Sequence, residues 1–158
     1  EKFSYKDLAK RKLSILKPTL GNWEGSVEQV EVKAYGLPAH TQNIKHPVKF
    51  NKDETIMVLH WTSEEIDVIG TISYNALNGH LVKNYHTSTG TQMTGKLISW
   101  NNNKFLWERT GNTPNGFLYE KCLVDVSKSG VFRHKIMDRT LNGILQPDEP
   151  EIILKKAN

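Results

Sequence analysis

Two residues whose chemistry requires a partner stand where the sequence predicts an apolar interior. Arg109 alternates with Phe105 and Trp107. His134 shares a face with Phe132 in the same period of two. Because alternate residues of a strand point to one side of a sheet, both side chains should face inward. A buried arginine requires an anion, supplied by a ligand carboxylate or by the protein, and a buried histidine requires a hydrogen-bond partner or a ligand.

Aromatic residues of other predicted strands could line the same interior. Trp61, Tyr85 and Trp107 would supply apolar surface with a few polar edges, as ligand pockets do. Packing in the core or at the rim is their alternative role. The predicted ligand-binding residues are Trp61, Tyr85, Trp107, Arg109 and His134.

The sequence contains no arrangement typical of catalysis or of metal binding. The histidines form neither His-X-His nor His-Glu-X-X-His, and no Gly-X-Ser-X-Gly motif or glycine-rich phosphate loop is present. Cys122 alternates with Leu118 and Val124, which predicts a buried thiol. We therefore predict no catalytic residue and no metal ligand, and the residues identify no cofactor.

Residues 4–17 have the only pattern typical of a helix. Ser4 is the predicted N-cap, with Asp7 three residues on, and Pro18 should end the helix. Its basic residues lie opposite an apolar stripe, which should cover one edge or end of the main body. The stripe consists of Tyr5, Leu8, Ala9, Leu13 and Leu16.

From Trp23 onward the pattern alternates, and Asn-Gly and similar turn signals recur every 11 to 14 residues. Residues 36–54, which include Pro38 and Pro47, are predicted to form a long loop with at most a short strand at 46–50. His40 and His46 would be solvated there. The predicted strands are 23–34, 55–61, 65–74, 80–88, 91–100, 104–110, 117–126, 131–140 and 151–156.

Sequential strands after one helix favour an all-β fold: an antiparallel up-and-down β-barrel of about 8–10 strands with an N-terminal helix. Closure removes the edge strands that an open meander would expose. A two-sheet sandwich is the alternative. The 158 residues fit one domain, with the barrel spanning 21–156.

Charge and composition exclude several classes of protein. The net charge of +4 lies wholly in residues 1–17, which carry six basic and two acidic groups, so the body has no basic stripe for nucleic acid. One cysteine excludes an intramolecular disulfide framework, and no apolar run is long enough for a transmembrane segment. Oligomeric state and compartment stay open; a removed signal peptide would make the protein periplasmic or secreted.

The stretch Gly21-Asn22-Trp23, which opens the first strand after the helix, resembles the lipocalin and fatty-acid-binding (calycin) superfamily. It is most similar to small bacterial lipocalin-like proteins. The resemblance implies that Trp23 packs at the closed end of the barrel with a basic side chain from a late strand across it. Arg139 is the first choice for this role and Arg133 the second.

These observations predict a lipocalin-like binding protein that holds a small, mainly apolar ligand in the barrel interior, with loop 36–54 as a flap. The first alternative is an enzyme on the same barrel, either an isomerase or cyclase or a haem-dependent protein. His134 and Arg109 would then be the acid/base and anion-binding groups. The second is a surface protein whose basic helix binds an acidic partner.

Overall fold

The computed structural model describes residues 4–29 and 38–157. This part of the chain begins with α1 (Tyr5–Leu13), which continues directly into a 3-10 helix (Ser14–Thr19).

The helix begins where the sequence predicts. The N–H of Asp7 donates to Ser4 Oγ (3.1 Å), and the Ser4 hydroxyl donates to the Asp7 carboxylate (3.0 Å), which satisfies groups that a helix start leaves unpaired. The α-helical part is shorter than the predicted 4–17. Ser14 Oγ donates to the carbonyl of Arg11 (2.6 Å), and Pro18 has no N–H for the α-helical pattern, so the last turn is a 3-10 helix that includes Pro18.

Strands occupy most of the remaining described residues. Their bounds are β1 (Gly21–Gln29), β2 (His40–Phe50), β3 (Ile56–Thr62), β4 (Asp67–Asn75), β5 (His80–Thr87), β6 (Gln92–Asn101), β7 (Lys104–Thr113), β8 (Gly116–Asp125), β9 (Val131–Leu141), β10 (Ile144–Leu145) and β11 (Ile152–Lys156).

Ten of these strands form a closed antiparallel barrel, as predicted. Strands β1 to β9 pair in sequence order, β9 also pairs with β11, and β11 pairs back to β1. Strand β10 adds only a short hairpin to β9. Every long strand therefore has two neighbours, which removes the exposed edges of an open sheet.

The predicted loop 36–54 is wrong over most of its length, because β2 occupies His40–Phe50. A flap formed by this whole segment is therefore excluded. Residues 30–37, which include the end of the predicted first strand, lie outside the described residues.

Pro47 misled the sequence reading because proline cannot donate to a strand ladder. The β2–β3 register passes from the pair Lys45–Thr62 to the pair Val48–Leu59, which places Pro47 opposite His60. The His60 carbonyl instead accepts a hydrogen bond from His46 Nδ1 (2.8 Å). A side chain thus replaces the missing backbone donor, and β2 stays in the barrel.

The helices cover one end of the barrel, called here the helix end. Leu13 and Leu16 are fully buried there against core residues that include Met57. Tyr5 donates to the carbonyl of Tyr74 at the end of β4 (2.6 Å). The β3–β4, β5–β6 and β7–β8 turns lie at the opposite end, called the far end, because successive turns of an up-and-down barrel alternate between ends.

Candidate functional site

All five predicted ligand-binding residues lie on strand positions that face the interior. Trp107 and Arg109 are buried, and Trp61, Tyr85 and His134 are half-buried. Direct contacts join four of them in two groups of two, and Trp107 contacts Lys83 instead. The Arg109 guanidinium lies over the Tyr85 ring at 5.4 Å, and the Trp61 and His134 rings are 4.9 Å apart.

The first group is built around a buried ion pair. Arg109 on β7 and Glu120 on β8 are direct cross-strand partners, and Arg109 Nη2 lies 2.5 Å from Glu120 Oε1. Only 5% of Arg109 and 3% of Glu120 are exposed. Two close charges in a water-poor interior attract strongly, which offsets the cost of removing them from water. The sequence reading missed Glu120, although it alternates with Leu118, Cys122 and Val124.

Gly95 provides the space that Arg109 occupies. It lies beside Arg109 in the β6–β7 register. A Cβ at this position would lie 3.0 Å from Arg109 Cγ and 3.2 Å from the Glu108 carbonyl oxygen. A larger residue at 95 would therefore displace the arginine side chain or the β7 backbone.

A β-bulge brings a second arginine to Glu120. The β8–β9 register passes from Tyr119–Thr140 to Lys121–Met137, so Asp138 and Arg139 together oppose Glu120. Asp138 has a left-handed φ of 54°. Because of this extra residue, Arg139 faces the same side of the sheet as Glu120. Strict alternation would place Arg139 on the opposite side. Arg139 Nε lies 3.4 Å from Glu120 Oε2, and its Nη1 lies 3.2 Å from Glu149 Oε1.

Lys156, and not Arg139, lies across the Trp23 ring, which corrects the expectation from the resemblance. Lys156 Nζ, from β11, lies 5.6 Å from the Trp23 ring centroid. Gly21 has φ 145°, and a Cβ there would lie 2.8 Å from Lys156 Cε. Gly21 thus leaves room for the lysine stem. Trp23 is buried and donates to the Thr19 carbonyl (2.8 Å), which ties β1 to the helix end.

Lys83 is a buried cation that the sequence reading missed. It is 8% exposed and follows Leu81 on the inward face of β5. Its Nζ lies 4.4 Å from the centroid of the Trp107 ring and forms no hydrogen bond or ion pair with any described residue. The pKa of Lys83 is lowered to about 8, mainly by burial and also by the charge of Arg109, while Cys122 and Glu120 act in the raising direction.

The charged cluster, defined as Lys83, Tyr85, Arg109, Glu120 and Arg139, has more cations than anions. Its members below one-tenth exposure are two cations, Lys83 and Arg109, and one anion, Glu120. Arg109 Nε is buried without a hydrogen-bond partner among the described residues. Burial raises the pKa of Tyr85 well above its usual value, so this side chain remains a neutral hydroxyl.

The second group, the imidazole cluster, consists of His46, Trp61, Cys122 and His134. The His46 ring lies 4.9 Å from Trp61, and Cys122 Sγ lies 3.2 Å from His134 Nε2. Cys122 is fully buried, as the alternation predicts. His46 is buried rather than solvated, which corrects the loop prediction.

Both imidazoles are neutral near neutral pH. Burial lowers the pKa of His46 and of His134 to about 3 in each case, and the positive charges of Arg109 and Lys83 act in the same direction on His134. A neutral imidazole with so low a pKa cannot supply a proton as a general acid at pH 7. This disfavours the acid role that the enzyme hypothesis gives to His134.

The basic helix uses part of its charge within the chain. Lys6 Nζ lies 3.2 Å from Asp53 Oδ2, and Lys10 Nζ lies 3.1 Å from Glu54 Oε2. The two acidic residues belong to the β2–β3 turn. These exposed pairs contribute little to stability, but they leave less free charge for an acidic partner than the sequence suggests.

The outer wall carries a groove of about 390 Å³ lined by Trp100, Leu106, Leu123 and Met137 among others. Trp100 is 57% exposed. Within residues 4–29 and 38–157, the buried polar side-chain atoms that lack partners, Arg109 Nε and His134 Nδ1, belong to the interior instead. The interior is therefore the stronger candidate for a specific site.

Within the ranges 4–29 and 38–157, no three or more His, Cys, Asp or Glu side chains are grouped to hold a metal ion. None of the helices described has the length and apolar character of a membrane span.

The chain was compared with protein-family models and with curated proteins. No family model matches it, and no curated protein matches it. The candidate site therefore depends on the geometry and chemistry of the chain's own residues.

Proposed function

We propose that this chain is a calycin-type binding protein that holds a small, mainly apolar ligand with an anionic group in the barrel interior. The observation that carries the proposal is the uncompensated positive charge of the charged cluster: Lys83 and Arg109 against Glu120. An unpaired buried cation costs several kcal/mol of desolvation, which a ligand anion would offset.

Two donors are available to such an anion. Arg109 Nε is buried without a partner among the described residues, and Lys83 Nζ contacts the Trp107 ring and has no hydrogen bond or ion pair within the same part of the chain. Charge-assisted hydrogen bonds from these groups to a carboxylate would be stronger than those between neutral groups.

An apolar body would contact the aromatic side chains beside the cluster. Trp61, Tyr85 and His134 face inward, and part of the surface of each side chain remains exposed. Trp107 supplies a further ring beside Lys83. Aromatic walls with a few convergent polar groups are the usual composition of a small-molecule site.

The proposal is tested by native mass spectrometry of the protein isolated from the organism that makes it, followed by extraction of any bound compound. We expect a retained organic acid of low mass, released on unfolding. A bound compound without an acidic group would contradict the anionic part of the proposal. A consistently ligand-free protein that also binds no added organic acid would contradict the binding function itself.

A further inference from the structure

We propose that Lys83 is a nucleophilic amine that captures the carbonyl carbon of an aldehyde or ketone inside the barrel and forms an imine with it. The inference deepens the proposed binding function and rests on it, because the carbonyl compound must enter the same interior. It assigns a reactive group, and with it a second ligand class, to the charged cluster.

The position of Lys83 isolates its amine from the usual partners of a lysine. The side chain is 8% exposed, and Nζ contacts the face of Trp107 at 4.4 Å without a hydrogen bond or ion pair to any described residue. A cation–π contact contributes about 0.5–2 kcal/mol, whereas desolvating an ammonium costs several kcal/mol. The ring therefore does not compensate fully for the loss of water, and the ammonium form is less stable relative to the neutral amine than in an exposed lysine.

The nearest carboxylate is already occupied. Arg109 takes Glu120 Oε1 at 2.5 Å, and Arg139 approaches Glu120 Oε2 at 3.4 Å. Glu120 is therefore paired with the two arginines and not with Lys83. The positive charge of Arg109 also repels an ammonium group at Lys83. Desolvation and a nearby cation are the two conditions that activate lysine nucleophiles.

The amine is consequently available near neutral pH. Because the pKa of Lys83 is lowered to about 8, the Lys83 amine is unprotonated in roughly a tenth of the molecules at pH 7. For an exposed lysine of ordinary pKa this fraction is below about a thousandth. The difference is large enough to direct a carbonyl reagent to one residue.

The reaction balances without a redox partner. The Lys83 Nζ lone pair attacks the carbonyl carbon, and the carbonyl π electrons move to oxygen. The two hydrogens of the amine leave with that oxygen as water, while a C=N bond replaces the C=O bond. Nothing is oxidised or reduced until a hydride reagent is added.

Reductive trapping with hexanal and cyanoborohydride near pH 7 tests the inference. Hydride transfer to the imine carbon gives a secondary amine whose mass exceeds that of the protein by hexanal minus one oxygen atom. Peptide mapping should place this adduct on Lys83 at least about tenfold faster than on any other lysine, as the difference in free amine requires. The map also separates modification of the N-terminal amine, whose ordinary pKa is near 8.

Two variants provide the matched comparison. Lys83→Arg keeps the interior charge but removes the nucleophile, so the adduct should disappear. Lys96→Arg changes a lysine on β6 that is 49% exposed and lies 3.8 Å from Glu108, and the adduct on Lys83 should persist. Labelling spread over exposed lysines with Lys83 unmodified in the wild type overturns the inference, whether or not Lys83→Arg folds.

Hexanoate separates this inference from the proposed function, because it has the same chain length and an acid group but cannot form an imine. Calorimetric binding of hexanoate without an adduct on Lys83 overturns only the inference. An adduct on Lys83 without hexanoate binding supports the reactive lysine and contradicts the anionic ligand. Failure of both contradicts both.

Discussion

Arg109 and Glu120 face each other across β7 and β8 with Nη2 and Oε1 2.5 Å apart, and both side chains are more than nine-tenths buried. Glu120 is also approached by Arg139, so one carboxylate serves two guanidinium groups. A buried carboxylate shared in this way holds both arginine side chains in place. The two arginines carry one positive charge more than Glu120 neutralises, and this charge faces the interior.

The first prediction concerns this carboxylate. Glu120→Gln leaves Arg109 without its counter-charge, and the free energy of unfolding should fall by about 3–5 kcal/mol because an uncompensated buried charge remains. Urea unfolding followed by tryptophan fluorescence measures the change. The control is Glu108→Gln, which removes a partly exposed partner of Lys96 and should cost less than about 1 kcal/mol. Equal effects of the two variants would contradict the buried ion pair.

The second prediction concerns the space for the arginine. Gly95→Ala places a methyl group 3.0 Å from Arg109 Cγ, and it should lower the free energy of unfolding by about 1–3 kcal/mol through overpacking. Thr94→Ala, at the exposed neighbouring position, should change it by less than about 0.5 kcal/mol. In an Arg109→Ala background the cost of Gly95→Ala should shrink. An undiminished cost there would mean that Arg109 is not what Gly95 accommodates.

The third prediction is a loss of stability in mild acid. In the folded state the pKa of His46 and of His134 is about 3, and in the unfolded chain it is near 6.5, so the unfolded state binds more protons between these values. The contribution of these two imidazoles to stability is therefore fully present above about pH 6.5, and it falls as the pH decreases, by about 2 kcal/mol for each imidazole at pH 5. Urea unfolding at several pH values measures the slope.

Variants assign that slope to the buried rings. His134→Gln should reduce the dependence on pH between 7 and 5, since one buried imidazole is removed. His46→Gln should reduce it in the same way, since it removes the other buried imidazole. If neither variant changes the dependence of the unfolding free energy on pH, the acid sensitivity arises from groups other than these imidazoles.

The fourth prediction is that the interior lysine is retained at a cost in stability. Lys83→Met preserves the unbranched shape and removes a desolvated charge, so the free energy of unfolding at pH 7 should rise by about 1–3 kcal/mol. Lys96→Met on the outer face should change it by less than about 0.5 kcal/mol. A destabilised Lys83→Met variant would mean that the ammonium has a stabilising partner.

The dependence of stability on pH provides an independent check of the same lysine. The pKa of Lys83 is about 8 in the folded state and near 10.5 in the unfolded chain, so the unfolded state holds more protons between these values. Wild-type stability should therefore gain a contribution as pH rises above 8, and Lys83→Met should lack it.

Alternation in the sequence predicted the barrel and the inward position of Arg109, because a period of two fixes which residues share a face. The same rule also applied to Glu120 and Lys83. Both were missed because charged residues in strands are usually assigned to the solvent side. A charged residue flanked by apolar ones at both alternate positions, such as Glu120 between Leu118 and Cys122, is the signal that could have found them.

Two features could not be read from local pattern. Strand β2 contains Pro47 and several polar residues, and the His60 carbonyl opposite Pro47 accepts its hydrogen bond from the His46 side chain, a contact between residues that are fourteen positions apart in the chain. The orientation of Arg139 depends on a bulge at Asp138, where one extra residue reverses the alternation. Nothing in the period of the sequence marks that insertion.

Calorimetric titration with hexanoate and hexanol tests the claim that the barrel interior binds a small organic anion through the charged cluster. We predict that the wild type binds hexanoate at least about tenfold more tightly than hexanol, a difference of about 1.4 kcal/mol. Lys83→Met should lose most of this preference, and Lys96→Met should keep it. Equal binding of the acid and the alcohol, or a preference that survives Lys83→Met unchanged, would contradict the claim.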